Sequence, residues 1–277
     1  MTRVMKFYNF HLANANTAAK EIVMSSYPGC ISSPDSFYVM DSGLVVVDTS
    51  VELLDNELFD EVRDFPDYQH IPDFIHVMAT NRIARNGAQW AQQYQGGQLN
   101  PGIQNNQWLI VDYKLYEKGH PLEENTVWML ESVPGYLRSG DVSELLESQK
   151  YLASANRPYF NKVREASGYS AATDSHGHVY SYEDNPRAKI IKKAVGAGET
   201  NLATMRSTMH RNKFPDSGVL PSTPSFDIGA RFDLESVDPV PAGAIDSKVV
   251  NSCTIFVFNN LNLNRISIQI LTLVSSR

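Results

Sequence analysis

The chain has few cysteines, no excess of basic residues and no long apolar run. Its 277 residues include two cysteines, Cys30 and Cys253. Two thiols cannot build a disulfide scaffold or a cysteine-based metal centre, and on usage alone both read as free thiols. Lys and Arg total 24 against 31 Asp and Glu, a formal net charge of -7. That balance excludes general nucleic-acid binding, which needs clustered cations to neutralise phosphates. No apolar stretch is long enough for a membrane helix. Met1 to Tyr8 lacks the apolar run and small-residue cleavage site of a secretory signal, so the chain taken literally is cytoplasmic. No Asn-x-Ser/Thr acceptor is found; Asn251-Ser252-Cys253 only approaches one. What is present is an ordinary globular composition, 42% hydrophobic and 20% charged, fitting one large domain or two small ones.

Alternation predicts a strand over Arg3–His11, and bounding turn residues mark further strands over Glu21–Tyr27, Ser36–Met40 and Leu44–Asp48. The last two are joined as a hairpin through Asp41-Ser42-Gly43. Val45-Val46-Val47 reads as a strand packed on both faces. Val51–Arg63 is acidic and fits a helix or an elaborated loop. Pro72 suits a first helical position with Asp73 in the first turn, and Phe74, Met78 and Ile83 recur at helical spacing up to Asn86-Gly87. Strands are expected over Gln107–Tyr113, Thr126–Ser132 and, after Pro134-Gly135, Tyr136–Arg138. Short helices are expected over 144–149, capped by Ser143, and over 158–166, ended by Gly168. A short strand is expected over His178–Tyr182, and Met205 and Met209 lie at helical spacing. Residues 214–241 read as irregular wrapping. Residues 254–277 contain no Asp, Glu or Lys and have poor periodicity, so 1–253 reads as the domain and 254–277 as an atypical tail or a terminal strand pair.

Five ordered blocks resemble the phospholipase B-like family: Ser25-Ser26-Tyr27-Pro28-Gly29; Asp41-Ser42-Gly43-Leu44-Val45 with Asp48-Thr49-Ser50; Asn105 to Lys114; Tyr151 to Pro158; and Asn185-Pro186-Arg187-Ala188-Lys189. Ala79 to Ala84 and Ala244 to Val249 support them. The resemblance implies an α+β fold, the four-layer αββα sandwich of N-terminal-nucleophile hydrolases, here incomplete. It implies hydrolysis of acyl ester or amide bonds, with a phospholipid or other acylated small molecule as partner and no cofactor. A cysteine freed at a chain terminus by self-cleavage is the family's nucleophile. A thiolate attacks well, and the terminal amine accepts its proton. The family is usually lysosomal or secreted.

By this resemblance the nucleophile and a following His-Asn segment precede the block matching Thr2 to Phe10. Cys30 and His11 do not stand at those positions. The expectation is therefore a polypeptide inactive by itself, with the missing N-terminal segment as a further partner, or else a non-catalytic lipid- or partner-binding fragment. Three residues carry over: Ser50, where the family usually has a threonine; Asn156, whose amide suits an oxyanion; and Arg187, which suits a charge at the site. Such donors contribute about 3 kcal/mol each in a dry, fixed site. Without the resemblance, Ser50 ends a strand, Asn156 is a turn or cap residue, and Arg187 is a surface ion-pair partner. Asp174-Ser175-His176-Gly177-His178 offers a metal reading, but its broken local pattern favours a solvated loop. Trp108 and Tyr113 beside Asp112 suit a substrate wall or, more simply, a core.

Overall fold

The computed structural model describes residues 3–63, 71–96, 105–196, 202–219, 221–245 and 247–252. Cys253 and the 254–277 tail lie outside them. Four strands open the chain: β1 (Val4–Asn9), β2 (Glu21–Ser26), β3 (Phe37–Met40) and β4 (Leu44–Ser50). Three helices follow, α1 (Leu58–Arg63), α2 (Asp73–Ile83) and α3 (Gly87–Gly96). Then come β5 (Asn106–Asp112), β6 (Val127–Val133) and β7 (Tyr136–Asp141). The rest comprises α4 (Ser143–Gln149), β8 (Tyr151–Ser154), α5 (Asn161–Ala166), α6 (Tyr169–His176), α7 (Pro186–Gly196), α8 (Leu202–Met209), β9 (Gly229–Arg231), β10 (Gly243–Ile245) and β11 (Lys248–Asn251).

Strands β1 to β7 form one antiparallel sheet in sequence order. Neighbours in sequence are therefore neighbours in space, with the three helices inserted between β4 and β5. The hairpin predicted at 41–43 is present, with Gly43 at φ +84, a conformation glycine adopts without a Cβ penalty. The register sets which side chains share a face. Asp48 pairs with Trp108, Thr49 with Gln107, and Gln107 with Glu131.

On one face, Ile22, Met24, Val46, Trp108, Ile110 and Leu130 pack against Trp90, Ala91 and Tyr94 of α3 and Val77 of α2. The rings of Trp90 and Trp108 lie 5.3 Å apart, and the Asn81 Oδ1 accepts the Trp90 indole N–H at 2.7 Å. Burying such aromatic area is a large part of what holds the layer together. Helix α3 can approach this face because Gly87 carries no side chain: a Cβ there would sit 2.8 Å from Trp128.

The opposite face buries Phe37, Val39, Val45, Val47, Leu109, Val111, Val127 and Met129. Strands β8 and β11 pair antiparallel above it. Leu152 and Val250 point into this core, while Ala153 and Val249 point the other way, toward Ile190 and Ile191 of α7. The layers at this point therefore run helix, seven-stranded sheet, two-stranded sheet, helix. The molecule is α+β.

Several sequence expectations need correction. Helix α2 forms, but Phe74, Ile75 and Ile83 are exposed and its buried positions are Val77, Thr80, Asn81 and Arg82. Arg82 is held there by the Ala19 and Lys20 carbonyls, so polar satisfaction replaces the expected apolar stripe. Asn86-Gly87 does not end α2, which stops at Ile83; Gly87 instead opens α3. Ser143 does not cap α4. Asp141 accepts the Ser143 N–H at 2.9 Å, and Ser143 Oγ accepts from the Val127 N–H. The second short helix begins at Asn161, not 158. Gly168 starts α6 rather than only ending α5, and the expected strand at 178–182 is a 3-10 turn over His178–Tyr180.

Candidate active site

Three chain segments meet where β4 ends, β8 ends and α7 begins. Strand β4 finishes on Asp48-Thr49-Ser50. Strand β8 finishes on Ser154, and two residues later Asn156 turns the chain with φ 63. Asparagine tolerates this left-handed region better than most L-residues. Helix α7 starts on Pro186, the position where a missing N–H costs nothing. Asn185 caps it by accepting the Ala188 N–H at 3.0 Å. Arg187 thus projects from the first turn of a helix.

Asn156 contacts both Ser50 and Arg187. The Asn156 amide nitrogen donates to the Ser50 carbonyl at 2.8 Å. One Arg187 guanidinium nitrogen donates to the Asn156 Oδ1. The other nitrogens reach the Ser225 carbonyl at 2.9 Å and the Asp227 carbonyl at 3.3 Å. Arg187 therefore orients the Asn156 amide and ties the 225–227 loop to it. A pocket of about 250 Å³ opens here, lined by Ser50, Asn156, Arg187, Ser225, Phe226 and Phe232 among others. A cation in the first turn opposes the helix dipole; its hydrogen bonds to carbonyl oxygens offset that.

Ser50 also borders a second cavity of about 480 Å³, lined by Asp35, Asp48, Asp73, Tyr38, Trp108 and Lys248 among others. Burial raises the Asp73 carboxyl, against the lowering effect of the Tyr94 hydroxyl that donates to it at 2.8 Å. Burial also lowers the His76 imidazole, which stacks on Tyr94 at 4.5 Å.

Behind the smaller pocket lies a row of polar side chains on the inner face of the sheet. Thr49 Oγ1 and Ser154 Oγ are 2.7 Å apart. Gln107 Nε2 donates to Glu131 Oε1 and, at 3.0 Å, to the Arg157 carbonyl. Glu131 accepts the Tyr159 N–H at 2.6 Å and the Phe160 N–H at 2.9 Å. Burial raises its carboxyl to about 7, outweighing those donors and Arg164.

A family profile described as Phospholipase B matches residues 1–266. The chain belongs to the phospholipase B family. It is 33% identical over 257 residues to phospholipase B-like protein D of Dictyostelium discoideum, covering 90% of this chain and 44% of that protein. It is 30% identical over 255 residues to phospholipase B-like 1 of Homo sapiens, covering 91% and 44%. With phospholipase B of Crotalus adamanteus the identity is 31% over 253 residues, covering 90% and 44%. The chain thus spans less than half the length of these phospholipase B relatives.

Within this phospholipase B chain, the three residues singled out by resemblance share one pocket. Cys30 lines neither cavity; it is a free thiol whose carbonyl takes a hydrogen bond from Lys6. His176 and His178 are exposed, and among the described residues no group of three metal-binding side chains exists. The Ser175 hydroxyl and the His176 ring lie 2.7 Å apart. Trp108 is a core aromatic that also borders the larger cavity, and Asp112 is buried, accepting from the Lys114 backbone and ammonium. Sequence reasoning missed Gln107, Glu131 and Arg157. Arg157 donates to the Tyr169 hydroxyl at 3.0 Å and lies over the Tyr169 ring. A lone glutamate directly after Val127-Trp128-Met129-Leu130 was the available signal: an acid on a strand face that must be buried needs partners.

Proposed function

We propose that this chain carries the substrate-anchoring side of a hydrolase pocket acting on acyl ester or amide bonds of lipids. The observation that carries it is the convergence of Ser50, Asn156 and Arg187 on one pocket of about 250 Å³. Asn156 would donate from its amide to the oxyanion of a tetrahedral intermediate. Arg187 holds that amide in place and presents positive charge to the acyl or headgroup oxygens. Ser50 supplies a hydroxyl at the pocket rim.

The nucleophile in this scheme is the family's processed cysteine, supplied by a segment outside these residues. Its thiolate attacks the carbonyl carbon, the bond to the leaving alcohol or amine breaks, and the terminal amine returns the proton to the leaving group. Water then hydrolyses the thioester. The layers described above become part of the αββα sandwich of N-terminal-nucleophile hydrolases. In this scheme the whole protein is lysosomal or secreted. Among the described residues no helix is long and apolar enough to cross a membrane.

A direct test uses octanoate, a soluble stand-in for an acyl product, followed by NMR. Shifts confined to 155–157, 186–187 and 225–226, and lost in Arg187→Ala, are expected. Absence of shifts there, or shifts unchanged in the variant, removes the pocket. Turnover of acylated lipid that Cys30→Ala abolishes would overturn the assignment of the nucleophile.

A second reading, a non-catalytic lipid- or partner-binding fragment, draws on the edge strand β1. Met5 is 60% and Phe7 53% exposed there, and an apolar sheet edge invites association. A chain that stays monomeric at high concentration and ignores phosphatidylcholine vesicles eliminates it.

A further inference from the structure

The loop carrying Asn156 has no regular structure of its own between β8 and α5, yet its side chain must be placed to within a fraction of an ångström for a donor role. Adjacent strands hold it from one register row. Thr49 on β4, Gln107 on β5 and Glu131 on β6 stand side by side on the inner face. Thr49 meets Ser154, two residues before Asn156. Gln107 meets the Arg157 carbonyl, one residue after. Glu131 takes the Tyr159 and Phe160 amides. Ser50, the acceptor of the Asn156 amide, follows Thr49 directly.

We propose that Glu131 is a positioning residue for the Asn156 pocket, clamping the 155–160 segment to the sheet so that the Asn156 amide stays on Ser50 and Arg187. This rests on the reading of Asn156 and Arg187 as site residues. Glu131 is fully buried, with 0% relative exposure. Three N–H donors converge on its two oxygens, and all three belong to Gln107 or to the clamped segment. A carboxyl suits three donors because, ionised or protonated, it keeps a lone pair for each. The glutamine amide of the same size offers one oxygen and one N–H2, so Glu131→Gln sets donor against donor.

The test compares wild type, Glu131→Gln and Gln107→Met by NMR and amide hydrogen exchange. In Glu131→Gln, the Tyr159 and Phe160 amides should exchange at least about ten times faster, while Val111 and Met129 in the sheet keep wild-type rates. The contact between the Asn156 side-chain amide and Ser50 should be lost from the nuclear Overhauser spectrum, and octanoate affinity should fall about tenfold. Gln107→Met, which removes the link to Arg157 and one of the three donors on Glu131 but leaves the Tyr159 and Phe160 amides bound, should move the same readouts in the same direction by less. Faster exchange spread equally through β5 and β6 would make Glu131 an ordinary core residue and overturn the proposal. So would a loosened loop with the Asn156–Ser50 contact intact. If wild type does not bind octanoate, the functional reading fails, and the Asn156–Ser50 contact still decides the clamp.

Discussion

The two faces of the seven-stranded sheet are closed by different means near the ends of β4, β5 and β6. The outer face stacks aromatic rings: Trp108 against Trp90 and Tyr94, with α2 and α3 above. The inner face, one residue out of phase along the same strands, sets Thr49, Gln107 and Glu131 under the 154–160 segment. Ring packing is tolerant of small shifts and contributes mainly burial. A polar row is directional and fixes where a segment sits, at the cost of desolvating its own groups. The outer face accounts for stability, then, and the inner face for placement.

Trp108→Ala should break the outer side of that comparison most severely. Deleting a fully packed indole costs about 3–5 kcal/mol, read as a lower urea midpoint, and should accelerate amide exchange throughout the sheet rather than at 155–160 alone. A loss under about 1 kcal/mol would mean the ring is not structural.

The inner face should respond to pH. Glu131 is raised from 4.5 to about 7 by burial, so the folded state holds its proton more tightly than the unfolded chain. Its contribution is complete below about 4.5 and is lost as pH rises through about 7. A shift of that size corresponds to ~3 kcal/mol. The stability difference between wild type and Glu131→Gln should shrink by about that amount from pH 4.5 to 8 in urea unfolding. A difference constant with pH would contradict the raised carboxyl. Comparing with the variant removes the opposing contributions of Asp73 and His76, which both proteins share.

Smaller effects sharpen the contrast at single positions. Asn156→Gly should cost less than Asn156→Ala, because φ 63 strains alanine by about 1–2 kcal/mol while both lose the same side-chain bonds. Equal losses would mean the backbone relaxes there. Thr49→Val keeps the shape and removes the hydroxyl facing Ser154, for about 1 kcal/mol, with its exchange signature confined to 153–156.

Legibility in the sequence followed the range of the interactions. The early strands, the 41–43 hairpin and the strands at 107, 126 and 136 are short apolar or alternating runs bounded by turn residues, so local pattern was enough. Strand β8 was missed because it is four residues long and its partner β11 lies about 100 residues away in the chain. Helix α6 was missed because Tyr169 to His176 has no apolar stripe, with Tyr169 its only buried residue. The site was legible only through family resemblance. Asn156 and Arg187 look locally like a turn residue and a surface cation, and their meaning comes from a contact between residues 31 positions apart.

That contact is tested most directly by a double-mutant cycle of Asn156→Ala and Arg187→Met, read as unfolding free energy in urea. If the guanidinium orients the amide, the two losses will be coupled by at least about 1 kcal/mol, the double variant costing less than the sum of the singles. Losses that add within about 0.3 kcal/mol would mean the side chains act independently, and the shared pocket would not exist.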